Sequence, residues 1–428
     1  MKKEKGKQLA ISNVQCAMCN GVDGEFMEIK RVKIAVIGGG ASGIACAITC
    51  GERFGKNSTV IIERQSRVGK KILATGNGRC NITNRNALPE HYHGDEKIIK
   101  SVLEKFSPND CEKFFARMGV LFRDEDGGRV YPYSNQASTV LDGMRMYCAK
   151  LGVPEICDFE IKLIKKHKDF FSVISQNIVI QAENIVFATG SKASPSLGAN
   201  DSGYSFLKDF GITSTTLKPA LCPIHAKEKY KNLKGVRSKG TVTLFDGNQK
   251  IISRDGEIQF TDYGISGICV FDISRFVSDC KNPKIFVDVM KEYSENHLCD
   301  YLFKCRKIFT NADDILTGTL NKKLAQVIVQ VCGFEKKSCK ELSENDIKKL
   351  AHTVKHFTFT PLKNDDYSYA QVCAGGISSK YVYPDTLMSK SVKNLYICGE
   401  LLDVDGECGG YNLHFAFGSG ILVGKSIK

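Results

Sequence analysis

The chain has 428 residues, of which 42% are hydrophobic and 25% are charged. This composition is typical of a soluble globular protein with one large domain or two to three ordinary ones. The formal net charge is +13, but the basic residues are scattered and no homeodomain, RNP or zinc-finger pattern is present. A solvated basic surface that attracts anionic substrates is therefore favoured over nucleic-acid binding. No apolar stretch reaches the roughly 18 residues of a membrane span, so we expect a cytoplasmic protein without a membrane partner. The oligomeric state stays open.

The 18 cysteines follow no regular spacing, and several, such as Cys46, Cys50 and Cys148, lie inside apolar runs. This pattern indicates reduced, packed thiols rather than disulfides. The Cys-x-x-Cys pair Cys16 and Cys19 lies in a polar lead segment, where redox or metal use stays open but an unstructured extension is favoured. We predict a disordered N-terminal extension over residues 1–30 and regard a natural start near residue 27 as an open alternative.

Near the start of the expected fold, the sequence predicts a β-α-β unit. Arg31–Ile37 is a β-branched run typical of a buried parallel strand, and residues 38–43 read GGGASG. The following stretch predicts a helix that ends near Gly55, and Val60–Glu63 predicts the second strand. Strand, G-x-G-x-x-G loop, helix and acidic residue together predict a dinucleotide-binding unit. The alternative is a glycine-rich turn with an ordinary surface glutamate.

Each glycine of this loop has its own physical reason. Gly38 permits the tight turn, Gly40 lets a pyrophosphate approach the backbone without a Cβ in the way, and Gly43 lets the helix pack closely on the strand. The N–H groups and the partial positive charge at the helix N-terminus favour phosphate. Glu63 can accept hydrogen bonds from the ribose hydroxyls of the cofactor's adenosine.

Two later segments favour FAD over NAD. Asn184–Gly190 reads as an apolar strand that ends in a small-residue turn, and small residues allow such a strand to cross close to a dinucleotide. Asn394–Gly424 reads as a strand, an acidic turn, a glycine pair and a small-residue helix. The N-terminus of that helix, near Tyr411, can face the flavin pyrimidine carbonyl. Elements from both chain ends around one ligand suit FAD, and the sequence contains no second strand–G-x-G-x-x-G–helix unit.

Longer motifs carry a resemblance to a known family. Gly69–Asn84, GKKILATGNGRCNITN, resembles the G-[RK]-K-x-L-x-[ST]-G-x-G-R-C-N-x-[ST]-N signature of the YhiN/BaiN-like flavoproteins, which are also labelled the aminoacetone oxidase family or 3-dehydro-bile-acid reductases. Phe260–Gly267 is similar to their internal motif, and Ala374–Lys390 and Cys398–Gly420 are similar to their C-terminal signature. The resemblance implies bound FAD, but it does not fix the substrate.

The resemblance also implies which residues contact FAD. The matching positions run from the phosphate loop and the ribose carboxylate, through the loop near the pyrophosphate and the crossing strand, to the ribityl and isoalloxazine end. They are Gly38, Gly40, Ala41, Ser42, Gly43, Glu63, Lys71, Gly76, Gly78, Arg79, Cys80, Asn81, Ala188, Thr189, Gly190, Gly399, Glu400, Asp405, Gly410, Asn412 and Leu413. His414 departs from the glutamine expected there, so we expect altered hydrogen bonding near the ring.

The middle of the chain changes character. From about Thr215, short alternating runs with the pairs Asp246-Gly247 and Asp255-Gly256 predict antiparallel strands joined by hairpin turns. From Glu295 to His352 the pattern is helical. In one of these helices we expect Asn345 as the cap. The face that it buries is expected to comprise Ile347, Leu350, Ala351 and Val354.

We therefore predict an α/β fold: a Rossmann-like two-dinucleotide-binding FAD fold with an inserted β-barrel-like and helical domain. The expected boundaries are 31–191 for the first part of the FAD domain, 192–355 for the insert and 356–428 for the second part. Because the chain must leave the FAD fold and return, the ends of the insert should lie close together. The insert is expected to act as a substrate cap.

The sequence does not identify a catalytic residue. The Arg79 guanidinium can hold an anionic substrate or a phosphate. Cys80 can be a proton donor or a redox thiol, although a packed thiol beside the cofactor is favoured. Tyr411 can donate a proton or pack against the ring. No metal site is expected, because no convincing ligand constellation surrounds His225, His352 and His356.

The function expected from these observations is FAD-dependent reduction of a C=C bond in an unsaturated carbonyl compound, bile-acid-like or another small molecule. NAD(P)H is the expected electron donor. One alternative is a flavin-dependent amine oxidase that uses O₂. Another is a non-catalytic flavoprotein that binds a macromolecular partner such as RNA, which the basic charge keeps open.

Overall fold

The structure is a computed structural model that describes residues 17–20, 26–363 and 366–428. Cys16 and the side chain of Cys19 lie outside the described part, as do residues 1–16 and 21–25 of the predicted extension. The helices are α1 Ala41–Phe54, α2 Lys70–Ala74, α3 Glu96–Lys105, α4 Pro108–Ala116, α5 Ala137–Leu151, α6 Ser202–Asp209, α7 Ile268–Val277, α8 Glu295–Ile308, α9 Lys322–Cys332, α10 Glu344–Lys355 and α11 Tyr411–Ser426.

The strands are short apart from four long ones near the start, before the insert and within it. They are β1 Ala17–Asn20, β2 Phe26–Ile37, β3 Thr59–Ile62, β4 Thr83–Asn84, β5 Tyr92–Gly94, β6 Phe122–Glu125, β7 Arg129–Pro132, β8 Glu155–Ile156, β9 Leu163–Lys166, β10 Phe171–Ile174, β11 Ile178–Phe187, β12 Lys218–Ala220, β13 Ile224–His225, β14 Arg237–Asp246, β15 Gln249–Phe260, β16 Gly264–Ser266, β17 Pro283–Asp288, β18 Phe357–Phe359, β19 Val372–Ala374, β20 Leu395–Ile397 and β21 Val404–Gly406.

The chain divides into two compact units. The first comprises the described residues up to Leu217 together with Gly375–Lys428, and the second comprises Lys218–Ala374. The main sheet of the first unit has the order β8-β3-β2-β11-β10-β9, and β20 pairs with the C-terminal end of β11. The pairs β8–β3, β3–β2, β2–β11 and β11–β20 are parallel. This arrangement confirms the predicted Rossmann-like α/β fold.

The first long strand begins earlier than predicted. β2 starts at Phe26 rather than Arg31, and β1 pairs with it in antiparallel register, Ala17 opposite Ile29. The predicted extension over residues 1–30 is therefore wrong for these two segments. Residues 26–31 read FMEIKR, and three of these six side chains are charged. The apolar pattern alone therefore did not indicate the earlier start, which depends on pairing with β1 and β11.

Helices α1 and α11 pack closely in the first unit because both carry small residues. A Cβ built on Gly420 would lie 2.1 Å from the Ser42 carbonyl oxygen, and one on Gly424 would lie 2.7 Å from Thr49 Cβ. Ser42 and Thr49 are themselves buried. The C-terminal helix thus completes the layer that covers the first β-α-β unit.

The second unit is a small barrel with helices. Its sheet has the order β13-β16-β15-β14-β17-β18. The two edge segments also meet: Ala226 bridges Pro361, and the Leu362 N–H donates to the His225 carbonyl over 2.8 Å. This seam closes the sheet, as the barrel-like prediction required. Helices α7 to α10 complete the unit, and its hydrophobic core is separate from that of the first unit.

Two local predictions in the second unit were wrong. Asp255-Gly256 is not a hairpin turn but lies inside β15, where Gly256 leaves room for Cys269 and a Cβ would lie 3.0 Å from the Cys269 Cβ. Asn345 is not the cap of α10. Ser343 caps that helix, in a capping box with Asp346. The hairpin at Asp246-Gly247 joins β14 to β15 as predicted, and the predicted apolar face of α10 is buried.

The boundaries of the second unit lie later than the predicted 192 and 355 at both ends. α6 stays with the first unit, because a Cβ on Gly203 would meet the Thr189 hydroxyl and the Leu401 side chain. After α10, β18 pairs with β17 and β19 pairs with β12. The pair β12–β19 places Lys218 opposite Ala374, so the ends of this unit are adjacent, as predicted for an insertion.

The described cysteines from Cys46 onward are free thiols, most of them buried. Within the described ranges, none of the helices has the length and apolarity that crossing a bilayer requires.

Candidate functional site

The predicted cofactor residues that follow β2, β3, β11 and β20 meet at one edge of the first unit's sheet, where these parallel strands end. Three backbone hydrogen bonds join the ends of neighbouring strands at this edge. The Gly38 N–H donates to the Ile62 carbonyl at 2.8 Å, the Ala188 N–H to the Ile37 carbonyl at 2.8 Å, and the Cys398 N–H to the Phe187 carbonyl at 3.0 Å. The loops after β3, β2, β11 and β20 therefore lie side by side. In open α/β sheets this carboxyl edge is where ligands bind.

The glycines of the phosphate loop differ in what a side chain would meet. A Cβ on Gly38, where φ is +106°, would lie 2.4 Å from the Ala188 carbonyl oxygen, and one on Gly43 would lie 1.9 Å from the Gly38 carbonyl oxygen. A Cβ on Gly40 would meet no described atom within 4 Å, and its φ of −86° suits any residue. Packing explains Gly38 and Gly43, whereas Gly40 borders open space into which a ligand can fit.

The N-terminus of α1 faces the same space. Gly40 is its N-cap, and within the described chain no side chain caps the helix and no acidic residue lies in its first turn. Ala41 and Ser42 supply the first helical N–H groups, which stay available for an anion. The arrangement fits a dinucleotide pyrophosphate.

Glu63 follows β3 and is tied to the loop. Its Oε2 accepts the Gly39 N–H and its Oε1 accepts the Gln65 N–H, both at 2.8 Å. The carboxylate is thus oriented by two backbone donors and retains further lone pairs for ribose hydroxyls. Gly39, which the sequence motif leaves unspecified, is part of this site.

A second group of predicted cofactor residues lies at the end of β11, around Ala188–Gly190, and in the loop after β20. Ala188 is buried, and Gly190 has φ +72°. The Glu400 carboxylate accepts from Lys71 Nζ at 2.7 Å and from the Ser191 hydroxyl at 2.6 Å. Ser191 was not predicted, because its role depends on a partner that lies 209 residues later.

Two predicted residues of this group, Thr189 and Gly399, serve packing. The Thr189 hydroxyl lies against Gly203, which leaves no room for a Cβ. The Gly399 N–H donates to the buried Ser419 hydroxyl at 3.0 Å, and Gly399 has φ +71°.

The loop over residues 76–81 turns sharply, with φ between +55° and +81° at Gly76, Asn77, Gly78 and Cys80. After the turn, Asn81 is 9% exposed, and its Oδ1 is buried without a hydrogen-bond partner among the described residues. A Cβ on Gly410 would lie 2.7 Å from this oxygen. A buried acceptor without a donor is costly in a packed protein, so Asn81 Oδ1 indicates a place for a ligand donor.

Arg79 and Cys80 of the same loop are engaged by the protein. The Arg79 guanidinium pairs with Glu125, donates to Asn135 Oδ1 at 2.9 Å and lies 4.1 Å above the Tyr131 ring. Cys80 is fully buried, and burial raises the pKa of its thiol to about 12. A neutral buried thiol suits the packing interpretation of Cys80 better than a redox role.

The residues predicted for the flavin end lie in and around the N-terminus of α11. Gly410 is its N-cap with φ +101°, and the first turn contains no acidic residue. Asn412 holds the preceding turn, because its side chain accepts from the Gly406 N–H and donates to the Gly406 carbonyl, both at 2.8 Å. Asp405 is 2% exposed in β21, and Leu413 packs on the core.

An aromatic stack stands beside this N-terminus. The Tyr411 ring stacks on His91 at a centroid distance of 4.8 Å, and His91 Nδ1 pairs with Glu407 Oε2 at 2.8 Å. The Tyr92 hydroxyl donates to the Tyr411 carbonyl at 3.1 Å. Tyr411 therefore packs against an imidazole that the Glu407 carboxylate holds in place. His91 was missed because no local motif marks it.

His414 faces the interior. It is fully buried, Nδ1 lies 2.8 Å from the Thr83 hydroxyl and Nε2 lies 3.0 Å from the Phe106 carbonyl. Burial lowers the pKa of His414 to about 4. The neutral ring then donates through Nε2 to Phe106 and accepts from Thr83 at Nδ1. The departure from the expected glutamine thus changes an internal contact between helix and loop.

The three histidines that were considered for a metal site divide into two groups. The His225 ring packs on Tyr263 at 4.5 Å. His352 and His356 lie together with Glu295, and these three residues form the possible metal-binding group among the described residues. The sequence did not predict this grouping, because Glu295 lies on another helix, 57 residues before His352.

The parallel sheet, the glycine loop, the uncapped α1 and Glu63 define a Rossmann-type dinucleotide-binding protein, and the buried acceptor of Asn81 fits a ligand that extends to α11. The model described as the HI0933-like protein Rossmann domain matches residues 32–426. The chain belongs to this family, which confirms the resemblance read from the motifs.

The chain is similar to named relatives over nearly its whole length. It is 36% identical to the 3-dehydro-bile acid delta(4,6)-reductase of Clostridium scindens, over 92% of this chain and 98% of that protein. It is 28% identical to the ribosomal RNA dihydrouridine synthase of Haemophilus influenzae, over 92% and 98%. The Escherichia coli protein of the same name is 27% identical, over 91% and 96%. The chain is thus an FAD-dependent oxidoreductase in class.

Proposed function

We propose that this protein uses NAD(P)H and FAD to reduce a C=C bond conjugated with a carbonyl group in a small, bile-acid-like or similar organic substrate. The observation that carries the proposal is the 36% identity to a bile-acid reductase across 92% of the chain. The other relatives are named for dihydrouridine, which is uridine with a reduced ring C=C bond. Both names therefore describe the same type of bond reduction.

Different residues of the first unit would bind different parts of FAD. The N–H groups at the start of α1 and the open space beside Gly40 suit the pyrophosphate, and Glu63 suits the adenosine ribose. Asn81 Oδ1 and the N-terminus of α11 at Gly410 suit polar atoms of the flavin end. When bound, FAD supplies hydride transfer between a nicotinamide and the substrate.

Reduction of such a bond also needs a proton, and the stack beside α11 offers one. Tyr411 is 6% exposed. Its neighbour His91 is held at Nδ1 by Glu407 over 2.8 Å, an arrangement that orients an imidazole for proton transfer. We assign the proton source to Tyr411 and His91.

The deciding experiment is anaerobic reduction of the purified holoprotein by NADH and by NADPH, followed by mixing with an unsaturated ketone or with O₂. We expect bleaching of the flavin by a nicotinamide and rapid reoxidation by the unsaturated ketone, with the saturated ketone as product. Fast reoxidation by O₂ with no reaction of the ketone would favour the amine oxidase alternative. Failure of both nicotinamides to bleach the flavin would favour a non-catalytic flavoprotein.

A second candidate is the same chemistry on a uracil ring in ribosomal RNA. The two relatives named for this reaction support it, and so does a cavity of about 410 Å³ in the second unit. Lys227, Lys281, Lys284 and Lys363 line this cavity, and lysines of this kind attract phosphate. Mass spectrometry of unmodified ribosomal RNA incubated with enzyme and NADPH separates the candidates: new dihydrouridine supports the RNA substrate, and its absence together with ketone turnover supports the small molecule.

A further inference from the structure

Three potential metal ligands meet on the helical side of the second unit. Glu295 lies in the first turn of α8, His352 lies in the last turn of α10, and His356 caps the end of α10. His352 Nδ1 lies 3.2 and 3.3 Å from the two Glu295 carboxylate oxygens, and His356 Nδ1 lies 3.7 Å from Glu295 Oε2. The ligand atoms of all three residues lie within 4.8 Å of one another.

These separations fit a common metal ion. Zinc binds histidine nitrogen and carboxylate oxygen at about 2.0–2.2 Å in a tetrahedron, which places neighbouring ligand atoms roughly 3.3 Å apart. His356 comes four residues after His352, which is the spacing of the two histidines in helical zinc motifs, but it lies just beyond the last residue of α10. The two rings stack with centroids 4.3 Å apart. Only small side-chain rotations would be needed to bring the three donors onto one ion.

Solvent can reach the group. The side chains of His352, His356 and Glu295 are 60%, 41% and 39% exposed, so an ion can enter and water can complete the tetrahedron.

We propose that Glu295, His352 and His356 form a zinc-binding site that joins α8 to α10. Two histidines and one glutamate match the ligand set of zinc sites with an open fourth position. The residue after His352 is Thr353, where helical zinc hydrolases carry a glutamate base, and its hydroxyl donates to the Lys349 carbonyl at 2.8 Å. The site therefore lacks the base of a hydrolytic centre, and its proposed role is to link α8 to α10.

The test is zinc titration of the full-length, FAD-loaded protein after treatment with a chelator and its removal. We expect one zinc equivalent to bind to the wild type, and the affinity of this site to fall by at least about tenfold in the His352→Ala, His356→Ala double variant, because even changes to outer-shell partners cost that much. His297→Ala, an exposed histidine on α8 outside the group, is the matched control. Equal zinc binding by the double variant and the wild type would overturn the proposal.

Cobalt substitution separates this site from cysteine sites such as the Cys16-x-x-Cys19 pair. We expect the Co²⁺ absorption that disappears in the double variant to lack thiolate charge-transfer intensity, because the three ligands supply only nitrogen and oxygen. Thiolate intensity in that difference spectrum would overturn the assignment. In thermal unfolding, added zinc should raise the melting temperature of the wild type and of Glu295→Asp more than that of the double variant, and equal shifts in all three would contradict a site that joins the two helices.

Discussion

At the scale of single residues, Glu63 should contribute directly to FAD affinity. Its carboxylate is oriented by the N–H groups of Gly39 and Gln65, and hydrogen bonds to a charged acceptor are worth about 1.5–3 kcal/mol. We expect Glu63→Gln to weaken FAD binding roughly ten- to a hundredfold, measured by fluorescence titration of the apoprotein. Glu183→Gln, an exposed glutamate on β11 of the same sheet, is the control. Unchanged affinity in a folded Glu63→Gln protein would show that this glutamate does not contact the cofactor.

His414 should make the fold sensitive to mild acid. Its folded pKa of about 4 lies below the ordinary 6.5, so the unfolded chain takes up the proton first. The stability that the neutral ring contributes is complete above pH 6.5 and is lost as the pH falls towards 4, by about 1.4 kcal/mol at pH 5.5. His414→Gln, whose amide can keep both hydrogen bonds, should remove this loss.

Urea unfolding at pH 7.5 and pH 5.5 checks this expectation. The wild type should lose about 1.4 kcal/mol more than His414→Gln between the two pH values, while His297→Gln should follow the wild type. The same acid loss in wild type and His414→Gln would mean that His414 is already protonated in the folded protein.

The site residues differ in how far the sequence could predict them. Gly40 and Glu63 follow from spacing alone, because a dinucleotide fold needs a glycine without a Cβ and an acid after the next strand. The ion pair of Arg79 with Glu125 and the bonds of His414 to Thr83 and Phe106 do not follow. They join residues far apart in the chain, and only tertiary packing brings such partners together.

At the scale of elements, the glycines at the start of α1 should separate binding from folding. Gly40 has room for a side chain and an ordinary backbone conformation, whereas a Cβ on Gly43 would collide with the Gly38 carbonyl. We expect Gly40→Ala to keep the apoprotein stability and to weaken FAD binding by about tenfold or more, equal to 1.4 kcal/mol. Gly43→Ala should destabilise the apoprotein by about 1–3 kcal/mol.

Chemical denaturation of the apoproteins, together with FAD titration, distinguishes the two variants. If Gly40→Ala bound FAD like the wild type, the open space beside Gly40 would not hold the pyrophosphate. If Gly43→Ala left stability unchanged, the close approach of α1 to the loop would be relaxed at little cost.

Helices and strands were predictable where local sequence decides them, but not where pairing with a distant strand decides them. The strand, loop and helix around Gly38–Gly43 appear as predicted because their apolar periodicity and glycines act locally. Asp255-Gly256 reads as a turn, yet it lies in β15, where the Thr241 hydroxyl donates to Asp255 at 2.6 Å from the neighbouring strand. Cross-strand pairing overrode the turn propensity of the dipeptide.

At the scale of the whole molecule, we expect the first unit to fold and bind FAD without the second unit. Lys218 lies opposite Ala374 in the pair β12–β19, and the Thr215 N–H donates to the Gly376 carbonyl at 2.9 Å just outside it. A short Gly/Ser linker from Leu217 to Gly375 should therefore close the first unit without strain. We expect the product to stay folded and yellow, because the predicted FAD residues all lie in the first unit.

The same protein tests the predicted cap. If the second unit sets substrate choice, the shortened chain should lose ketone turnover while NAD(P)H still bleaches the flavin. Full turnover would refute the cap, and loss of FAD would show that the second unit supplies cofactor contacts. A control with the same linker inserted after Gly247, in the hairpin between β14 and β15, leaves both units complete. The predicted boundaries 192 and 355 were less accurate than the fold class. Only the packing of α6 near Thr189 and Leu401, and the pairing of β19 with β12, show to which unit these elements belong.

The packing of α11 on α1 also sets an order of events on the ribosome. The two helices are far apart in the chain, from Phe54 to Tyr411, a delay of roughly 20–70 s at 5–20 residues per second. All residues of the second unit are synthesised within that interval. The strip of α1 that contains Ser42 and Thr49 therefore stays without its helical partner until α11, Tyr411–Ser426, has been synthesised. A nascent chain released before residue 411 would carry all the residues of the second unit and a first unit that cannot close.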